Sequence, residues 1–263
     1  MSPAPTLDHH RQGRGAPLVL LHGLGQRWGV WEPVLPALAE DFDVVAVSLP
    51  GFGTSPPLAA DDGPTAPRLA AVVTAFVEQL GVARPHVAGI SLGGFVALEM
   101  AAAGTARSVL GISPAGLWGP AGPPARSRRI LDLLRATSLR IAPRADALAR
   151  RPATRTALGL VNYGRPWLVP VPAFAADVRA VTAPGWQPAR DALDRHRFAG
   201  GPALGGTPVT IAWGTRDQIL PRGSADPGLL PRSTRWVSLP GCGHTPTWDD
   251  PGLIAAVVRE ACR

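Results

Sequence analysis

The sequence predicts an α/β protein: a mostly parallel central sheet with helices on both faces and a mainly helical insertion. Three observations carry this expectation. Short apolar runs closed by Gly or Pro recur along the chain, as buried parallel strands require. Segments with helical apolar spacing lie between those runs, and such alternation implies parallel pairing. One interval, about 115–200, breaks the rhythm. A chain of 263 residues suits one such domain with an insertion and can bury a sizeable core.

The elements follow in order. "APLVLLHG" (16–23) is an apolar run stopped by glycine, and "WEPVLPALAED" (31–41) reads as a helix. "DVVAVSLPG" (43–51) is a second strand, halted at Pro50. "APRLAAVVTAFVEQLG" (66–81) has helical spacing with Gly81 as its stop. "HVAGIS" (86–91) is a third strand. "GGFVALEMAAAG" (93–104) is apolar almost all round, which marks a buried helix. "SVLGIS" (108–113), "VTIAWG" (209–214) and "TRWVSLPG" (234–241) complete the strands, and "PGLIAAVVREACR" (251–263) is a final helix.

The interval 115–200 contains ten prolines. It is far longer than a crossover needs and too long for a structureless loop. It therefore reads as a helical insertion over one end of the sheet, with helices at 126–142 and 188–198. The core then comprises 1–114 and 201–263, and the insertion 115–200. Within it "WLVPVPAF" (167–174) is apolar and proline-stiffened; it reads as a wall of an acyl pocket or as a gate, with the reading leaning slightly toward the wall.

Composition excludes several chemistries. The chain has no lysine, so all 26 basic residues are arginine. A Walker-type phosphate loop, a Schiff-base lysine and a kinase-type lysine are thereby ruled out. Residues 115–200 hold 14 arginines against 5 acidic residues, whereas the rest of the chain is slightly acidic. That segment is either a solvated surface or a site of attraction for acidic substrates, a partner or an anionic surface. No basic-aromatic motif accompanies it, so nucleic acid is not an expected partner. Two cysteines, Cys242 and Cys262, make no disulfide framework and favour a reducing, cytoplasmic setting. No signal-peptide pattern and no membrane-length apolar run is expected. His9 and His10 lack any further metal-ligand spacing and read as surface residues; no metal or organic cofactor is expected.

The chemistry converges on Ser91. Gly89-Ile-Ser-Leu-Gly93 fits a sharp strand-to-helix turn, where flanking glycines relieve clashes around a strained residue. Such a turn exposes the hydroxyl and aims the next helix's N-terminus at developing negative charge. A serine needs a base, an orienting carboxylate and oxyanion donors. His244 in "LPGCGHTP" and Asp217 in "WGTRDQILP" both follow strand ends, where parallel sheets carry their reactive loops. Asp226 is a nearby alternative acid. "LLHGLGQ" (20–26) follows the first apolar strand, and its turn can present the Leu24 amide beside that of Leu92. His22 reads as a support of that turn. Cys242 reads as a small buried residue, and Trp28 or Trp31 as pocket lining or core.

With "HGLG", "SLPGFGTS", "GISLGG", "GTRDQILP" and "GCGHTP" in this order, the sequence resembles the α/β-hydrolase family over about 22–114 and 205–263. The resemblance implies Ser91 as nucleophile, His244 as base, Asp217 as orienting acid, and the Leu24 and Leu92 amides as oxyanion hole. It also implies that the insertion is a variable cap. One departure is Ser48, where the family usually carries an Asp of structural role. Members with Asp at the nucleophile position are often dehalogenases or epoxide hydrolases, and serine argues against both. The expected activity is hydrolysis of a small or medium apolar ester or lactone through an acyl-enzyme. Carbon–carbon bond hydrolysis of ring-fission products, cofactor-free perhydrolase or haloperoxidase-like chemistry, and a ligand-binding receptor on the same scaffold stay open.

Overall fold

The computed structural model describes residues 6–58 and 63–263. Seven strands form one sheet: β1 (His9–Gly13), β2 (Ala16–Leu21), β3 (Phe42–Val47), β4 (His86–Ile90), β5 (Ser108–Ile112), β6 (Val209–Gly214) and β7 (Arg235–Leu239). Their order is β1-β3-β2-β4-β5-β6-β7. Only β1 runs antiparallel; every other pairing is parallel.

Alternation of side chains along the strands sorts the core into two layers. Val19, Leu21, Val45, Val87, Val109 and Ile211 face one way. There they pack against α2 (Ala66–Gln79) and α3 (Leu92–Ala102). Leu18, Leu20, Val44, Ala88, Leu110 and Ala212 face the other way. There they meet the short α1 (Leu35–Leu38) and α9 (Pro251–Ala261). The helices on both faces thus follow from central strands whose side chains are apolar on both sides of the sheet. α3 is buried nearly throughout, as its unbroken apolar composition demands.

Between β5 and β6 lie α4 (Ala125–Ile141), α5 (Ala145–Ala149), α6 (Pro152–Gly159), α7 (Val171–Ala180) and α8 (Trp186–Arg195). A small core of its own, including Ala149, Tyr163, Val169, Phe174 and Val178, holds part of this segment. Trp186, Ala189 and Leu193 of α8 join the main core instead.

Three expectations change. Residues 31–41 are not one helix but a 3-10 turn (Trp28–Trp31) followed by α1, because Pro33 and Pro36 interrupt continuous helical hydrogen bonding. His9 and His10 are half-buried in β1 rather than on the surface. His10 stacks on Trp28 with ring centroids 5.0 Å apart, and His9 meets Phe76 edge-on at 5.1 Å. A polar edge strand has no apolar run to announce it. "WLVPVPAF" does not wall the central pocket: Trp167 and Leu168 point to solvent, while Val169 and Phe174 enter the small core of the inserted segment.

Candidate active site

The turn between β4 and α3 places Ser91 at the C-terminal end of the sheet. Its backbone sits at φ 52°, ψ −113°, a conformation that L-residues adopt only when the surroundings enforce it. The enforcement is visible. The Ser91 amide donates to the Ile112 carbonyl at 2.9 Å, and the Ser91 carbonyl accepts from Phe95 and Ala115, each at 3.0 Å. Both flanking glycines are sterically required. A Cβ on Gly89 would lie 2.1 Å from the Gly93 carbonyl oxygen, and one on Gly93 would lie 2.5 Å from that of Leu21. Leu92 opens α3, so its amide belongs to the first turn, which has no intrahelical acceptor.

The loop after β6 holds Asp217, and the loop after β7 holds His244. The His244 Nδ1 and Asp217 Oδ2 atoms are 2.8 Å apart. The other carboxylate oxygen accepts from the Ile219 and Leu220 amides at 2.9 and 2.8 Å. Both side chains are buried. An Nδ1–H donated to Asp217 leaves Nε2 as the basic nitrogen. Ser91, Leu24 and His244 line one pocket. Asp226 is elsewhere: its carboxylate accepts from the Gly228 amide at the start of a 3-10 turn.

The first loop is pinned by two residues. His22 accepts from the Leu49 amide at Nε2 (2.8 Å) and donates from Nδ1 to the Gly23 carbonyl (2.7 Å). Complete burial pushes His22 down to about 4, so it is neutral at pH 7. Gln26 accepts from the Gly23 amide and donates to Thr245 Oγ1, both at 2.9 Å. It thereby ties the Leu24 turn to the residue after His244. Sequence reading did not single out Gln26, and its place just beyond the turn glycine Gly25 was the available signal.

Ser48 has a carboxylate partner after all. Its hydroxyl donates to Asp8 Oδ2 at 2.9 Å and accepts from the Trp28 amide at 3.1 Å. Asp8 Oδ2 also accepts from the Thr54 amide at 3.3 Å. A carboxylate from the strand-leading segment thus occupies the turn where the resemblance leads one to expect an aspartate in place of Ser48.

Asp249 was also missed. It is buried, and Oδ2 accepts from the Gly164 and Gly243 amides, both at 2.8 Å. Oδ1 accepts from the Arg165 amide at 2.7 Å. The Thr245 amide donates to the Asn162 carbonyl at 2.8 Å. Residues 162–165 of the inserted segment are therefore stitched to both sides of His244. The sequence separation of these partners hides the arrangement from local patterns.

The pocket is narrow, about 50 Å³. Ala115, Trp118, Leu131, Leu134, Val181 and Leu220 supply much of its wall. Asp177 reaches it from α7, where burial raises its carboxyl to about 6 against the hydrogen bond it accepts from Tyr163. Arg190 is a buried wall residue, paired with Asp194 at 2.6 Å and more distantly with Asp132. Trp31 belongs to the core and Trp28 stacks on His10; neither lines this pocket. Cys242 is buried and its thiol is pushed up to about 11, chiefly by burial, so it stays a thiol at neutral pH.

Residues 18–257 match the family model described as the alpha/beta hydrolase family, and the chain belongs to that family. Among curated proteins, it is 45% identical over 91 residues to a pimeloyl-[acyl-carrier protein] methyl ester esterase of Aeromonas hydrophila. That match covers 35% of this chain and 34% of the relative. It is 32% identical over 236 residues to the dihydrolipoyllysine-residue acetyltransferase component of the acetoin cleaving system of Pseudomonas putida, covering 88% of this chain and 59% of the relative. The chain thus spans less than two thirds of the length of these relatives. A solved bacterial membrane phospholipase A superposes with a TM-score of 0.75 at 25% identity, covering 97% of this chain and 83% of the other. Family membership and the esterase relative support an enzyme of the hydrolase type.

Proposed function

We propose that the protein is a serine hydrolase of small or medium apolar acyl substrates, an ester or lactone, with Ser91, His244 and Asp217 as its triad. The observation that carries this reading is Ser91, held at φ 52°, sharing a pocket with a histidine whose Nδ1 is 2.8 Å from a buried carboxylate. His244 takes the Ser91 proton as Oγ attacks the acyl carbon. Asp217 holds the imidazole in the tautomer that can accept it and stabilises the resulting cation. The oxyanion forms between the Leu24 and Leu92 amides, where fixed dipoles need no reorganisation. His244 then protonates the leaving alkoxide, and water, activated by the same histidine, releases the acid from the acyl-enzyme. The residues 115–200 act as a cap over 1–114 and 201–263, and their apolar contribution to the pocket sets acyl preference. Free Cys242 and Cys262 fit a reducing, cytoplasmic setting.

Intact mass after exposure to a fluorophosphonate tests the nucleophile, with nitrophenyl esters from acetyl to octanoyl sizing the pocket. One adduct on Ser91 and ester turnover are expected, with short chains preferred in so narrow a space. Ser91→Ala removes labelling, and Asp217→Asn lowers kcat by roughly 10⁴-fold, as when an orienting acid is neutralised in a serine triad. Labelling without turnover of any ester would redirect the reading to carbon–carbon or peroxide chemistry. Absence of labelling would favour a receptor.

A further inference from the structure

The five large hydrophobic side chains that stand most exposed among the described residues all fall in the inserted segment: Leu133 (66% exposed), Trp167 (54%), Leu139 (52%), Leu160 (49%) and Leu168 (49%). The same segment carries 14 of the 26 arginines. Its acidic residues are already engaged. Asp132 and Asp194 pair with Arg190, Asp146 pairs with Arg179, Asp177 accepts from Tyr163, and Asp191 accepts from Gln187. Arg129, Arg140 and Arg144 are exposed, and none of them has an ion pair among the described residues.

The two features share a surface. On α4, Ser127, Leu131 and Leu134 line the pocket, at positions i, i+4 and i+7 of one helix face. The opposite face presents Arg126, Arg129, Leu133 and Arg140 to solvent. Ile130 and Arg126 of α4 border an open groove of about 600 Å³ with Leu160 and Trp167. The exposed apolar side chains therefore adjoin a cationic stripe on the helix whose inner face meets Ser91's pocket.

We propose that this face docks the protein peripherally on an anionic lipid surface, with Trp167, Leu168 and Leu133 entering the interface and the arginines facing headgroups. Trp and Leu beside cationic side chains suit the boundary between acyl chains and headgroups. Each basic residue near an anionic leaflet adds attraction that salt screens. The placement would let an apolar substrate pass from the lipid to the far side of α4, which rests on the hydrolase reading; the docking itself does not.

The test is flotation with vesicles of phosphatidylcholine alone and with phosphatidylglycerol added, in the absence of any substrate. Binding is expected only with phosphatidylglycerol and is expected to be lost in high salt. Arg129→Gln, Arg140→Gln and Arg144→Gln should each lower partitioning about fivefold. Trp167→Ser with Leu168→Ser should lower it at unchanged charge, with the thermal midpoint and turnover of a soluble ester retained. Equal binding of that double variant would reduce the effect to surface charge and overturn the proposal. So would absence of wild-type binding, whether the face instead closes a concentration-dependent dimer seen by light scattering or holds an acidic soluble protein.

Discussion

Asp249 braces the loop that carries His244 and does not itself line the pocket. Its carboxylate gathers amides from Gly164, Arg165 and Gly243, and the last of these precedes the proposed base. Close approach makes the arrangement unforgiving: a Cβ on Gly164 would sit 2.1 Å from the Gly241 carbonyl oxygen. Removing the carboxylate leaves buried donors unpaired, at about 1–3 kcal/mol each. It also frees the His244 loop, and misplacement by an ångström costs on the order of 10²-fold in rate. Asp249→Ala should therefore lower kcat by about that factor with KM little changed, alongside a lower thermal midpoint. Asp249→Asn, which keeps one acceptor oxygen, should fall between. Equal kcat at a lowered midpoint would make Asp249 a purely structural clamp.

At the level of elements, the turn after β3 is held by a carboxylate borrowed from the segment before β1. Ser48 Oγ and Asp8 Oδ2 are 2.9 Å apart, so Ser48→Asp puts two carboxylates in contact. That single change should destabilise the fold by about 1–3 kcal/mol. Asp8→Ser alone removes the acceptor of the Thr54 amide and the Ser48 hydroxyl and should also destabilise. The double change exchanges the two groups and should recover much of the loss, which a double-mutant cycle in urea measures as a coupling term. Simple additivity of the two losses would show that the exchanged groups do not substitute for one another.

Across the whole molecule, stability against pH reflects opposed buried groups. His22 is lowered from 6.5 to about 4 by burial. The unfolded chain then takes up a proton that the native state refuses as pH falls through that window. The stability present above 6.5 is lost toward pH 4, by about 3 kcal/mol in full. Asp177 is raised from 3.8 to about 6, burial again being the largest cause. Its native state keeps a proton the unfolded chain releases, so its contribution is present below 3.8 and lost as pH rises through about 6. Urea midpoints between pH 4 and 7 should show His22→Asn removing part of the acid-side loss and Asp177→Asn deepening it. An unchanged slope for His22→Asn would contradict the assignment of that loss to His22.

What the sequence by itself determined was local. Six of the seven strands were legible: the five inner ones because residues buried on both faces leave largely apolar runs, and edge strand β7 because Gly and Pro close it. The turn around Ser91 was legible because its glycines are neighbours of the residue they relieve. The grouping of Ser91, Asp217 and His244 could be anticipated because each follows a strand, and parallel strands bring their ends to one side of a sheet. The tertiary structure decided what depends on distant partners. Edge strand β1 is polar and exists through pairing with β3. Asp8 meets Ser48 across 40 residues and Asp249 meets Gly164 across 85. Trp167, apolar in sequence, ends in solvent, while its neighbours Val169 and Phe174 enter the small core of the inserted segment. A hydrogen bond between residues far apart in sequence leaves no periodicity behind, and an apolar side chain carries no mark of which surface remains to cover it.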